Sequence, residues 1–207
     1  MSAAAERFAT WEDLLAYPED VRVELIGGSI VTAPAPLPRH SKPQRGIGRF
    51  IGGPFDDDDG HGGPGGWWIF LEVDVRFSPH DVVRPDLAGW RRERLPKPGD
   101  VRPIDVRPDW VCEILSPSTT RVDRVDKAAL YHHAGVPWLW LVDPIDRTIE
   151  VREHGPKGWI VVSAVAAPDV VRLPPFEAAE VPLDRIFLPV EPSAADPDPA
   201  DPPEDAG

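Results

Sequence analysis

Three groups of residues in this chain have the types and spacing for chemistry. Glu113 stands in the middle of an apolar run, Val111-Cys112-Glu113-Ile114-Leu115. A carboxylate is seldom buried unless it is ion-paired or holds a metal. Asp86 follows Pro85 at the end of another apolar stretch. Asp123, Lys127 and Tyr131 are spaced i, i+4 and i+8, so they share one face of a helix. Singly, each has a plain structural reading: an edge position or ion pair for Glu113, a turn or cap for Asp86, a surface ion pair for the helix. Together they say more. Two carboxylates on adjacent strands supply the hard oxygen donors that magnesium or manganese takes. A nearby lysine can orient a water or stabilise charge on a phosphate. That is the chemistry of metal-assisted phosphodiester hydrolysis.

The elements that must position these residues are legible from periodicity. Residues 67–77, WWIFLEVDVRF, alternate with period two and predict one strand, with Trp67, Ile69, Leu71, Val73, Val75 and Phe77 on one side and Glu72 and Asp74 on the other. DVVRPDLAG predicts a strand that Pro85 confines to an edge or an irregular position. PDWVCEIL reads as a buried strand. SPSTTRVDRVDKAALYHHAG reads as a helix capped by Ser118 or Thr119 and ended by Gly135, and WLWLVD as a second buried strand. This strand-helix-strand unit implies a parallel pair inside a mixed sheet. RVELIGGSIV predicts an N-terminal hairpin turning at Gly27-Gly28, and TIEVRE and WIVVSAV a second hairpin across GPKG. Thr10 is expected to cap a short helix reaching about Ala16. Residues 40–55 carry a weak helical pattern that Pro43 interrupts. The fold class is α/β (α+β): one domain over residues 1–188, a mixed β-sheet flanked by helices, with an extra N-terminal β-hairpin.

The chain has 207 residues, with 22 Lys and Arg against 35 Asp and Glu, a formal charge of −13. Part of that acidity lies in residues 189–207, which hold six acids, six prolines and no base, and which read as a disordered acidic tail. The segment DDDDGHGGPGG reads as a flexible loop. A single cysteine, Cys112, excludes an internal disulfide and a cysteine zinc cage. The absence of an apolar run of membrane-spanning length and of a signal-peptide pattern makes the cytoplasm the expected location, with no membrane association. There is no G-x-S-x-G elbow and no P-loop motif. His132 and His133 are adjacent and diverge on a helix, so they do not form a zinc pair.

Net acidity argues weakly against generic nucleic-acid binding, yet it leaves room for a local basic face. Arg84, Arg91, Arg92, Arg94, Lys97, Arg102 and Arg107 crowd the sequence around and after Asp86, and Arg121 and Arg124 lie near Glu113. They are expected either to form a phosphate-contacting rim or to offset neighbouring acids. His40 lies in a basic segment with Arg39, Lys42, Arg45 and Arg49, and reads as a solvated histidine or a phosphate contact. Glu24 alternates with Val23 and Leu25, so it faces either solvent or the site.

Three stretches resemble the Uma-two family: ELIGGSIV, RPDLAGWRRERLP, and PDWVCEILSPSTTRVDRVDKAALYHHAGVPWLWLVDP. The resemblance covers about residues 8–188. That family belongs to the PD-(D/E)XK, or restriction endonuclease-like, superfamily. The resemblance implies a magnesium- or manganese-dependent endonuclease acting on DNA, and homodimers. It makes Asp86 the first metal ligand and Glu113 the second. Glu24 matches an acidic position that completes the site. The superfamily usually places its lysine two residues after the second acid, where this chain has Leu115. The resemblance assigns that role to Lys127 on the following helix, with Asp123 and Tyr131 in support. A nuclease-like fold serving as a binding or oligomerisation module is the other expectation, favoured by the displaced lysine and the net charge.

Overall fold

The structure is a computed structural model and describes residues 7–18, 21–56 and 63–189. The expected tail after Pro189 and residues 57–62 of the acidic loop lie outside the described residues.

Helix α1 (Trp11–Leu14) starts at Thr10, and Asp13 reaches back to the Thr10 backbone N–H in a capping box. Strands β1 (Val23–Ile26) and β2 (Ser29–Thr32) form the expected hairpin. Gly27 and Gly28 both adopt positive φ, 56° and 76°, as its two-residue turn demands. The 40–55 pattern is helical: α2 (Pro38–Ile47) runs through Pro43, then wider π-type turns over Gly48–Gly52 lead into α3 (Gly53–Phe55).

The predicted 67–77 strand is two strands. β3 (Trp67–Leu71) ends before Glu72, whose φ of 53° breaks the pleat, and β4 (Val75–Ser78) enters a different sheet. The alternation therefore does not carry across the break: Leu71 is exposed and Asp74 is buried, clamped by Arg84 and Arg102. DVVRPDLAG likewise divides into β5 (Asp81–Val83) and β6 (Leu87–Arg91). Pro85 marks the switch between sheets rather than an edge, because a residue without an N–H fits where no ladder continues.

β7 (Trp110–Ile114) and β8 (Trp138–Asp143) pair in parallel, Glu113 opposite Leu141, as the crossover implies. The crossover helix begins at Thr120, after a turn over residues 117–119. Within that turn Ser116 Oγ accepts from the Thr119 N–H at 3.3 Å. The helix then makes wide π-type turns over Val122–Lys127, continues as α4 (Ala128–His133), and closes at Gly135 with φ 72°. β9 (Thr148–Gly155) and β10 (Gly158–Ala166) make the second hairpin. A C-terminal annex follows, with β11 (Val170–Val171), β12 (Val181–Pro182) and α5 (Leu183–Ile186).

The small sheet runs β2-β1-β5-β4 and the large one β10-β9-β8-β7-β6-β3. β7 is buried on both faces, as central parallel strands are. Trp110, Cys112 and Ile114 join a core with α2, α5 and Phe176, whose ring lies within 5.8 Å of those of Trp67, Trp110 and Trp140. Val111 and Leu115 face the opposite way, toward Ala128 and Tyr131. Period-two alternation puts Glu113 on that second face, under the crossover helix. Among the described residues no helix is long and apolar enough to cross a membrane.

α2 crosses α5 closely at Gly46, where a Cβ would stand 2.8 Å from the Ile186 Cα. Gly→Ala in a helix normally gains about 1 kcal/mol. Here Gly46→Ala is expected to lose about 1–3 kcal/mol by overpacking, read as a lower urea midpoint at unchanged m-value.

Candidate functional site

The chain brings Asp86, Glu113, Lys127, Glu24, Asp123 and Tyr131 together. Asp86 lies in the segment that leaves the small sheet for the large one, and it is 2% exposed. Its Oδ1 accepts from Arg22 Nη2 at 2.9 Å. Its Oδ2 accepts from His40 Nε2 at 3.2 Å and from the Ile114 backbone N–H at 2.7 Å. The last bond ties Asp86 to β7 beside Glu113. Glu113 Oε1 lies 2.7 Å from Lys127 Nζ and accepts a short hydrogen bond from the Tyr131 hydroxyl. Glu24, on β1, turns inward: its Oε1 lies 3.0 Å from Lys127 Nζ and accepts from the Arg84 backbone N–H at 2.6 Å. Asp123 Oδ1 stands 3.7 Å from the same ammonium. The wide turns of 122–127 keep Asp123 and Lys127 on the inward face, and π-type turns recur at functional sites.

These groups, except Tyr131, line one cavity of about 350 Å³. Its other wall is apolar, formed by Ala33 to Leu37 after β2 and by Pro117, Pro144 and Ile145. Arg22 and His40 belong to the site and were not among the residues singled out for it. Arg22 had a signal, since it lies two residues before Glu24 and so on the same strand face. His40 had none, because only the packing of α2 brings it to Asp86.

The expected arginine rim does not assemble around this cavity. Arg84 pairs with Asp74 at 2.9 Å. Arg92 donates to the Trp67 carbonyl at 3.0 Å and stacks over Trp68 at 4.2 Å. Arg91 stacks over Trp67 at 4.2 Å, and Arg124 lies 3.5 Å from Asp143. Arg121 is exposed, outside the cavity lining. The reading as counter-ions to neighbouring acids fits Arg84, Arg92 and Arg124.

Burial alone would lift the Asp86 carboxyl, but the His40 hydrogen bond and the Arg22 guanidinium bring it down to about 2. Glu113 goes the other way. Complete burial pushes it up to about 8 against the pull of Lys127, with Asp123 and Asp86 adding repulsion. Burial opposes the charge on Lys127, yet Glu113, Glu24 and Asp123 hold its ammonium well above the usual lysine range. Burial also raises Asp123 and the Tyr131 hydroxyl, so Tyr131 remains a donor to Glu113. The cluster has more acids than bases: Glu24, Asp86, Glu113 and Asp123 face Arg22 and Lys127. A proton or a cation relieves that excess.

The donor set fits a hard divalent cation, for it offers carboxylate oxygens and no sulfur. The contacts of Glu113 and Glu24 fall on one oxygen each, Oε1. Among the described residues no three His, Cys, Asp or Glu converge as a ready cage. Lys127 and Arg22 stand between the acids instead.

Mixed sheet, crossover helix and buried acid cluster define a restriction endonuclease-like protein. The matching family model, Uma2, described as "Putative restriction endonuclease", spans residues 11–185. The chain belongs to the Uma2 family. It is also similar to a solved structure described as "a putative nuclease belonging to DUF820 from Anabaena variabilis ATCC 29413". That likeness has a TM-score of 0.68 at 23% identity, and covers 86% of this chain and 97% of the other. No curated protein matches the chain.

Proposed function

We propose that the protein is a divalent-metal-dependent endonuclease that hydrolyses phosphodiester bonds of DNA. The observation that carries this reading is the convergence of Asp86, Glu113, Glu24, Asp123 and Lys127, from separate segments, on the wall of one cavity. Asp86 and Glu113 would hold magnesium or manganese, with Glu24 completing the set. The bound ion would supply Lewis-acid charge neutralisation at the phosphate. Lys127 stays protonated among its acids, so it acts as a positioned cation for the attacking water or the transition-state charge, not as a base. Asp123 positions Lys127, and Tyr131 orients Glu113 through its hydroxyl. Arg22 and His40 fix Asp86 from the opposite side.

The test pairs calorimetric titration of manganese or magnesium with a DNA cleavage screen. Wild type is expected to bind metal saturably and to cleave. Asp86→Ala and Glu113→Ala are expected to fold and to lose both properties, with cleavage down by at least about 10³-fold, as when transition-state charge stabilisation is removed. Metal-dependent cleavage unchanged in either variant overturns the assignment. Failure of wild type to bind metal with and without a DNA duplex favours the second reading, a nuclease-like binding module. Lys127 standing between the acids is the observation on that side.

A further inference from the structure

A basic ridge leads away from the cavity along α2 and the π-type turns that follow it. Arg39, Lys42, Arg45 and Arg49 recur at intervals of three and four residues and fall on one helix face. Arg39 lines the cavity beside His40. Further along, Lys42, Arg45, Arg49, Phe50 and Arg185 line a shallow concavity of about 200 Å³. Arg185 comes from α5, brought there by the close crossing at Gly46, and its carbonyl accepts from Lys42 Nζ at 2.5 Å. The guanidiniums of Arg49 and Arg185 lie 5.6 Å and 5.5 Å from the Phe50 ring centre. One aromatic ring thus meets two cations.

Several arginines elsewhere on the surface have acid partners. Arg76 is paired with Asp105, Arg94 with Asp109 and Arg172 with Glu180. Among the described residues Arg39, Lys42, Arg45, Arg49 and Arg185 have no acid within ion-pair distance. A strip of unneutralised cations in a chain of charge −13 is an uncompensated local field. From Arg39 to Arg49 the helix advances about 15 Å, the axial length of about four phosphates of one strand.

We infer that this ridge is the track for the phosphate backbone of the nucleic-acid substrate, which lies along α2 and meets the cavity at Arg39. The inference rests on the endonuclease reading of the cavity and names the surface that delivers its substrate. It replaces the rim around Asp86 with residues that share one concavity and the Phe50 ring.

The test uses the full chain, metal-free, with a labelled DNA duplex and its single strand, titrated between 50 and 200 mM salt as about the range in which counterion release is read. Four neutralised duplex phosphates predict a fall in wild-type affinity of about 10²-fold over that range. Arg39→Gln, Arg45→Gln, Arg49→Gln and Arg185→Gln combined should flatten the dependence to a few-fold and weaken low-salt binding by at least about tenfold. All four residues are exposed, so circular dichroism and melting should match wild type. Arg76→Gln, away from the ridge, should bind as wild type does. Wild-type affinity and salt slope in the combined variant overturn the inference. So does a wild type that ignores DNA but binds vesicles of anionic phospholipid. Cleavage with magnesium is measured separately on the same proteins. Binding through the ridge without any cleavage leaves the track standing and overturns the endonuclease reading. Equal cleavage by wild type and the combined variant overturns the track alone.

Discussion

Replacing Lys127 with methionine is expected to destabilise the metal-free fold by about 3–5 kcal/mol at neutral pH, the loss seen when one partner of a buried ion pair is removed. Lys127 is 2% exposed, and its ammonium lies 2.7 Å from Glu113, 3.0 Å from Glu24 and 3.7 Å from Asp123. Methionine keeps most of the volume and flexibility of the side chain, so the loss reports charge rather than packing. Without the ammonium these acids face one another in a low-dielectric site. The deficit should therefore shrink as pH falls and the acids take up protons. At pH 8, where Glu113 begins to ionise, it should also shrink when Glu113→Gln is added, because one of the stranded charges is gone; a double-mutant cycle reads that coupling. Urea unfolding of the four proteins at pH 5 and pH 8 is the measurement. A loss under about 1 kcal/mol, the range of an exposed pair, with no pH dependence, would show that the ammonium is not their counter-ion.

The sequence carried this cluster in an uneven way. Glu113 was legible because a carboxylate in the middle of an apolar strand violates the burial rule, and Lys127 because it repeats with Asp123 and Tyr131 at helical spacing. The parallel pair and its crossover followed from element order, since a strand, a helix and a strand have few ways to pack. Two strand predictions ran through breaks that local pattern hides. Glu72 and Pro85 are single positions where the chain passes from one sheet to the other, and the apolar alternation happens to continue past both. A period-two pattern reports a pleat, not the sheet to which the pleat belongs. The arginines after Asp86 show the same limit for charge. Nearness in sequence placed them at the site, but Asp74, Asp109 and the tryptophan faces of β3 take up several of them. His40 and the α2 ridge depended on a helix that Pro43 made look doubtful. Proline removes one internal hydrogen bond, and the buried packing of Ile47 and Gly46 against the C-terminal annex outweighs that local deficit.

The metal-free protein is expected to be most stable near pH 4–5, on the linkage of the two site carboxyls, and to lose stability in both directions for different reasons. Glu113 has a folded value of about 8 against an ordinary 4.5. Between those values the folded chain holds a proton that the unfolded chain has released, so stability falls as pH rises through the window and levels off above it. Asp86 has the opposite sign. Its folded value of about 2 lies below the ordinary 3.8, so its contribution is complete above that ordinary value and disappears as pH falls toward the folded one. A displacement of several units in a fully buried group corresponds to a few kcal/mol, roughly. Glu113→Gln should remove the alkaline decline and leave the acid limb. Asp86→Asn should flatten the acid limb and lower the whole curve, because Arg22 loses its carboxylate partner. Equilibrium unfolding from pH 3 to pH 9 separates these outcomes. A wild-type curve that is level between pH 5 and pH 8 and coincides with that of Glu113→Gln would refute the assignment. The alkaline limb also bears on the proposed metal. A cation held by Glu113 replaces the proton there, and mass action stabilises only the folded form that binds it. Magnesium or manganese should then restore stability mainly above pH 7, and not at all in Glu113→Gln.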